Sequence, residues 1–166
     1  SRGLVGSEMC IRDRKMAILQ DTIETLTGAG YQFIGMDHFA LPEDELAVAQ
    51  REGVLHRNFQ GYTTQGECDL VGFGVSAISM VGDSYAQNQK ELKKYYAQVN
   101  DLRHALWKGV ALDNDDLLRR EVIKQLICNF KLDKTMIESE FAVDFNRYFK
   151  EDLELLQTFI NDDLVE

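Results

Sequence analysis

DLVGFGVSAISMV, residues 69–81, is the longest nearly unbroken apolar run in the chain. Its length suits a strand, and its lack of alternation predicts a parallel strand buried on both faces. Gly72 and Gly74 weaken such a strand unless another backbone or a ligand comes close. GFGVSA inside it lacks the third glycine of a dinucleotide loop, so strand packing is the preferred reading.

The elements upstream fit an α/β order. KMAILQDTIETLTGAG, residues 15–30, places Ile18, Ile23 and Leu26 near one helical face, and Gly28 and Gly30 stop it. YQFIGM, residues 31–36, reads as a short buried strand. Pro42 and the acids after it open a helix that Gly53 closes. Helix, strand, helix and strand in sequence predict an α/β architecture.

Downstream the pattern becomes helical. Leu92, Tyr95, Val99, Leu102 and Leu106 form one stripe, and WKGVAL, residues 107–112, reads as a short strand or turn. Asp113 is placed to cap a helix carrying Leu117, Leu118, Val122, Ile123, Leu126 and Ile127. A last helix carries Phe145, Phe149, Leu153, Leu156 and Ile160. A boundary therefore falls near residues 85–90. SRGLVGSEMCIRDR, residues 1–14, shows no clear period, and the chain has no repeat or long linker.

Composition narrows the partners. At 166 residues with 45% hydrophobic side chains, a sizeable core can form. A net charge of −10 disfavours nucleic acid and anionic membranes as general partners. Residues 113–166 hold 14 acids against 7 bases, which argues against a DNA-reading winged helix there. No apolar run approaches the ~20 residues of a membrane span. Cys10, Cys68 and Cys128 match no metal or redox spacing, and three dispersed cysteines point to a reducing cytoplasm. Cys68 and Cys128 read as small hydrophobes.

Residues 36–64 carry few signs of chemistry: two histidines, His38 and His56, and an Asp-His pair, with no cysteine pair, phosphate loop or nucleophile elbow. Asp37 and His38 resemble a catalytic pair, but neighbours on a strand face opposite ways. At a strand's carboxyl end they would still line a site mouth. His56 and Arg57 either grip an anion or decorate a surface loop. NFQGYT, residues 58–63, reads as a polar, aromatic loop that either presents amides and hydroxyls to a ligand or simply connects. His104 reads as solvated, and Tyr95 and Tyr96 as packing residues.

Residues 30–96, from GYQFIGMDHFALPEDELAVAQREGVLHRNFQGYTT through VGDSYAQNQKELKKYY, together with IKQLICNFKLD at 123–133, strongly resemble the oxygen-independent coproporphyrinogen III oxidase family, also called coproporphyrinogen dehydrogenases. The resemblance runs from about Lys15 to Glu166. It implies the last part of a radical S-adenosylmethionine partial (β/α) barrel over residues 15–85, followed by a mainly helical C-terminal domain over 86–166. It further implies oxidative decarboxylation of two propionates of coproporphyrinogen III to vinyls, giving protoporphyrinogen IX in haem biosynthesis without oxygen.

The cofactors so implied are S-adenosylmethionine and a [4Fe–4S] cluster, with an electron donor and a monomeric state. The family holds its cluster with a C-x-x-x-C-x-x-C loop, and this chain contains no such loop. By resemblance, Gln60 and Ile78 contact S-adenosylmethionine, whereas Asp37 and His38 receive no definite role. Arg57 is the candidate for a substrate carboxylate. The chain reads as an internal portion of such an enzyme, inactive alone, with residues 1–14 as a non-native leader. The alternatives are a haem chaperone or other non-dehydrogenase relative, or an acidic helical interaction module.

Overall fold

The computed structural model describes residues 5–66 and 68–165, with side chains from residue 13 onward. It divides into two units, residues 1–66 and 67–166.

The first unit opens with helix α1, Val5–Gly28. It extends ten residues upstream of the expected start, through a stretch with no apolar stripe but fair helix formers such as Glu8 and Met9. Strand β1, Gln32–Gly35, pairs antiparallel with β2, His38–Ala40. The return strand was not foreseen, because it is only three residues long. Helix α2, Glu45–Glu52, starts later than Pro42: the Asp44 side chain accepts the Leu46 N–H at 2.9 Å and fixes the first turn. Gly53, at φ 72°, ends it as expected.

Side chains tie α2 to β1. Gln50 Nε2 donates to the Ile34 carbonyl at 2.6 Å, and Gln32 Nε2 donates to Gln50 Oε1 at 2.7 Å. Arg51 adds bonds to Gln32 and to the Pro42 carbonyl. These contacts hold α2 over a small core of Ile34, Ala40, Ala47, Ala49 and Leu55. Next, β3 (His56–Asn58) and β4 (Gly61–Thr63) form an antiparallel hairpin. NFQGYT is thus mostly strand and turn rather than loop.

The second unit corrects the reading of residues 69–81. Only Ile78–Val81 is a strand, β5, and it pairs antiparallel with β6, Ser84–Asn88. Leu70 forms a lone bridge to Met80, so the run folds back on itself. Gly72 permits this, because a Cβ there would lie 2.6 Å from the Ile78 carbonyl oxygen. Another backbone does approach the glycine, but it is the chain's own. The Asn88 side-chain amide donates to the Gly74 carbonyl at 2.9 Å, holding the fold-back, and Phe73 is left 90% exposed.

Helix α3 spans Leu92–Leu102. Leu106, expected on its stripe, instead starts β7, Leu106–Ala111, which completes the antiparallel sheet β5–β6–β7. The strand alternative for WKGVAL is the one observed.

Helix α4, Asn114–Asn129, begins on Asp113 as expected, with a capping box. The Asp116 N–H donates to Asp113 Oδ1 and the Asp113 N–H to Asp116 Oδ2. Helix α5, Lys134–Phe141, was not anticipated. The expected last helix is broken at Phe149 into α6, Phe145–Tyr148, and α7, Lys150–Asn161. Leu118, Ile137, Phe145 and Phe149 form the helical core, with Val122, Leu132, Phe141, Val143 and Leu153 packed around it.

Buried Gln125 reaches from α4 to accept the Asp133 N–H at 2.9 Å at the start of α5. Helices α3, α4 and α5 end on Arg103, Phe130 and Ala142, all left-handed at φ 62°, 52° and 53°. Among the described residues, no helix is long and apolar enough to cross a membrane.

Candidate functional site

In the first unit, residues 36–62 gather the chemistry. Asn58 Oδ1 accepts the Gln60 N–H at 2.8 Å, closing the turn between β3 and β4. Gly61 follows at φ 136°, which a side-chain-bearing residue rarely adopts. Gln60 therefore stands at the tip of a fixed hairpin with its side chain exposed.

Arg57 and Tyr62 are directly paired across the strands. The guanidinium lies over the tyrosine ring, 5.0 Å from its centroid, and Nη1 donates to Met36 Sδ at 2.8 Å. Among the described residues no carboxylate pairs with Arg57. Met36 sits in the β1–β2 turn at φ 54°. His38 meets the same ring from another side, edge-on, at 5.1 Å between centroids. Its Nε2 lies over Gly61, where an added Cβ would stand 3.2 Å away.

Asp37 and His38 do not face apart. Asp37 is in the turn and only His38 is on the strand, so strand alternation does not separate them. Asp37 Oδ1 stands 2.9 Å from His38 Nδ1 but outside hydrogen-bond alignment, and Nδ1 is shielded from solvent. The Asp37 carboxylate itself is 89% exposed.

The structure thus brings Arg57 together with His38, which the sequence reading had left without a role, and adds Met36 and Tyr62. The missed signal was hairpin chemistry: Asn58 and Gly61 bracket a two-residue turn between short β-prone segments. Gln60 sits on the same hairpin. Ile78, in the second unit, is the half-buried first residue of β5.

Among the described residues the cysteines form no iron–sulfur ligand set. Cys128 is fully buried in α4 and Cys68 is exposed, against its reading as a small hydrophobe; the Cys10 side chain lies outside the described residues. Among the described residues no group of three His, Cys, Asp or Glu side chains could hold a metal ion. His104 is exposed, and Tyr95 meets Tyr96 edge-on at 5.6 Å.

The second unit holds a different constellation. The Tyr148 hydroxyl donates to Asp115 Oδ1, and Arg119 Nε donates to both Asp115 oxygens at 3.0 Å. The tyrosine hydrogen bond, then Arg119, hold the Asp115 carboxyl below its ordinary range. The same bond to Asp115 raises the Tyr148 hydroxyl, and Asp115 raises Arg119. The trio staples α4 to α6 and presents no open donor set.

Comparison with known proteins places both units. Residues 112–166 match the family model described as the HemN C-terminal domain. Over 165 residues, 99% of this chain and 36% of the relative, the chain is 61% identical to the oxygen-independent coproporphyrinogen III oxidase of Salmonella typhimurium LT2. It is 66% identical over 153 residues to the protein of that name from Escherichia coli K12, covering 92% of this chain and 34% of the relative. A solved structure described as "Coproporphyrinogen III oxidase (HemN) from Escherichia coli is a Radical SAM enzyme" superposes with a TM-score of 0.86. The match covers 90% of this chain and 35% of that one at 66% identity. The chain thus spans about a third of the length of these relatives.

Proposed function

We propose, on the premise that the chain belongs to the oxygen-independent coproporphyrinogen III oxidase family, that it contributes the substrate- and cofactor-facing hairpin and the helical domain of such an enzyme. The proposed reaction is oxidative decarboxylation of two propionates of coproporphyrinogen III to vinyls, without oxygen, giving protoporphyrinogen IX. The observation that carries this reading is the match of 66% identity and TM-score 0.86 over 90% of the chain. Residues 15–85 are assigned to the end of the barrel and 86–166 to the helical domain, in a monomeric cytoplasmic enzyme served by a one-electron donor. Residues 1–14 are assigned no part in it.

S-adenosylmethionine, with the cluster held elsewhere in the enzyme, supplies the radical chemistry that removes hydrogen from the propionate. This chain's own residues bind and orient. The exposed Gln60 amide hydrogen-bonds the polar part of S-adenosylmethionine, and Ile78 packs on its adenosine. Arg57 takes one of the substrate's four carboxylates, for which a guanidinium offers a bidentate fit.

The test is anaerobic turnover by the full-length protein. Loss of two carbon dioxide molecules per coproporphyrinogen III, with consumption of S-adenosylmethionine, is expected. Stoichiometric haem binding without decarboxylation would move the reading to a haem-chaperone relative. Gln60→Ala is expected to weaken S-adenosylmethionine about tenfold, since a lost hydrogen bond to a buried ligand costs ~1–3 kcal/mol. Ile78→Ala should cost less than the ~2–5 kcal/mol of a fully buried isoleucine. Wild-type cofactor affinity in both variants would remove these assignments. The present chain alone, reconstituted with iron and sulfide, is expected to take up no stoichiometric cluster.

A further inference from the structure

We propose that His38 is a positioning residue: by standing edge-on against Tyr62 it fixes the ring on which Arg57 stacks, and so aims the guanidinium at a single carboxylate. This rests on the reading of Arg57 as the group that meets a substrate propionate.

Three observations converge. First, Arg57 pairs with no carboxylate among the described residues, in a chain with 28 acids against 18 bases. Arg51 likewise has no carboxylate but spends both Nη groups on Gln32 and the Pro42 carbonyl, whereas Arg57 donates to a sulfur, a weak acceptor, which leaves its guanidinium available to a ligand. Second, it is held on two sides, by the Tyr62 face and the Met36 sulfur, which leaves N–H groups of the planar fork for an incoming anion. A side chain already ordered gives up less entropy on binding.

Third, His38 is packed for position rather than for hydrogen bonding. Its ring lies between Tyr62 and the backbone of Gly61, and Nδ1 is shielded yet makes no hydrogen bond. A shielded ring nitrogen without a bond is costly. The ring meets Tyr62 edge-on, and Asp37 Oδ1 stands 2.9 Å from Nδ1, so the imidazole is held against the tyrosine. Asp37, though 89% exposed, approaches the imidazole and does not pair with Arg57.

The experiment uses the full-length enzyme and two readouts. In steady-state turnover of coproporphyrinogen III, His38→Ala is expected to raise KM about tenfold while changing kcat much less. His38→Phe, which keeps an edge-on ring, should restore most of the loss. In an Arg57→Ala background, His38→Ala should add nothing further to KM, because the route through Arg57 is already gone. Tyr62→Leu, which removes the shared ring from the other side, should reproduce the KM effect should His38→Ala not fold.

The second readout is independent of turnover. Phenylglyoxal modification of Arg57, followed by peptide mass spectrometry, should be slowed by millimolar propionate in the wild type and not in His38→Ala. Propionate protection without any turnover of coproporphyrinogen III would refute the parent activity and uphold the carboxylate seat. Turnover with no propionate protection, or additive effects of His38→Ala and Arg57→Ala on KM, would overturn the positioning role.

Discussion

Two arginines in this molecule lie over aromatic rings, and they differ in what closes them. Arg119 sits 5.5 Å from the Phe149 centroid and is bound through Nε to both oxygens of Asp115. Arg57 sits 5.0 Å from the Tyr62 centroid and donates to the Met36 sulfur, with no carboxylate paired to it among the described residues. In the helical unit the guanidinium is used up inside the fold, as part of a staple over a packed phenylalanine core. In the hairpin it is ordered but left over. Stacking alone does not separate the two arginines; the Asp115 carboxylate on Arg119 does.

Phe149→Ala breaks the comparison most severely. It empties the ring under Arg119 and opens the core around Leu118, Ile137 and Phe145, at a cost of ~3–5 kcal/mol for a buried phenylalanine. Denaturant unfolding should show that loss; a midpoint change under a third of it would mean the core closes over the gap.

Exchanging the two arginines for alanine comes next. In the full-length enzyme of the proposed function, Arg57→Ala should raise KM for coproporphyrinogen III about tenfold, or ~1.4 kcal/mol, and leave the unfolding midpoint in place. Arg119→Ala should do the reverse, lowering the midpoint and sparing KM. If both variants lowered only the midpoint, Arg57 would be as structural as Arg119.

Asp113→Ala removes a side chain that the α4 capping box uses and should cost ~1 kcal/mol. Its helicity, followed by circular dichroism during thermal unfolding, isolates that term from the staple beside it.

The staple's own signature is a dependence on pH. Asp115 titrates below the ordinary carboxylate, so its contribution is present above about pH 4 and fades as pH falls through the lowered value. Tyr148 titrates above the ordinary phenol, so its contribution is present below about pH 10 and fades as pH rises through the raised value. Asp115→Asn should therefore flatten both edges of a midpoint-against-pH curve. Edges as steep as in the wild type would remove the staple from the account.

The smallest effect concerns residues 1–14: their deletion is expected to leave the midpoint unchanged within error. A large drop would attach them to the fold.

What could be read from the letters follows the range of the forces involved. Asp113 and Gly53 announced their helix ends, because capping is settled within a few residues. The run at 69–81 misled, because apolar continuity does not reveal a chain doubling back at Gly72 and bridging Leu70 to Met80. Leu106 kept helical spacing yet joined β7, since pairing with β6 outweighed a stripe that had already ended at Arg103. Arg57 was found as a cation near a polar run. Its neighbours were not, since Met36 and His38 come from a different hairpin and only the fold sets them beside Tyr62.

The helix ends at Arg103, Phe130 and Ala142 have a practical consequence. A side chain held in left-handed backbone carries ~1–2 kcal/mol of strain that glycine escapes, less what glycine's freedom costs in the unfolded chain. Three successive helices therefore stop on residues that leave stability in hand. For protein engineering, Ala142 is the most convenient handle: it is exposed, and its methyl group is all that an exchange for glycine would remove. Thermal tolerance of the helical domain can thus be tuned upward at a site distinct from Arg57 and from the Asp115 staple.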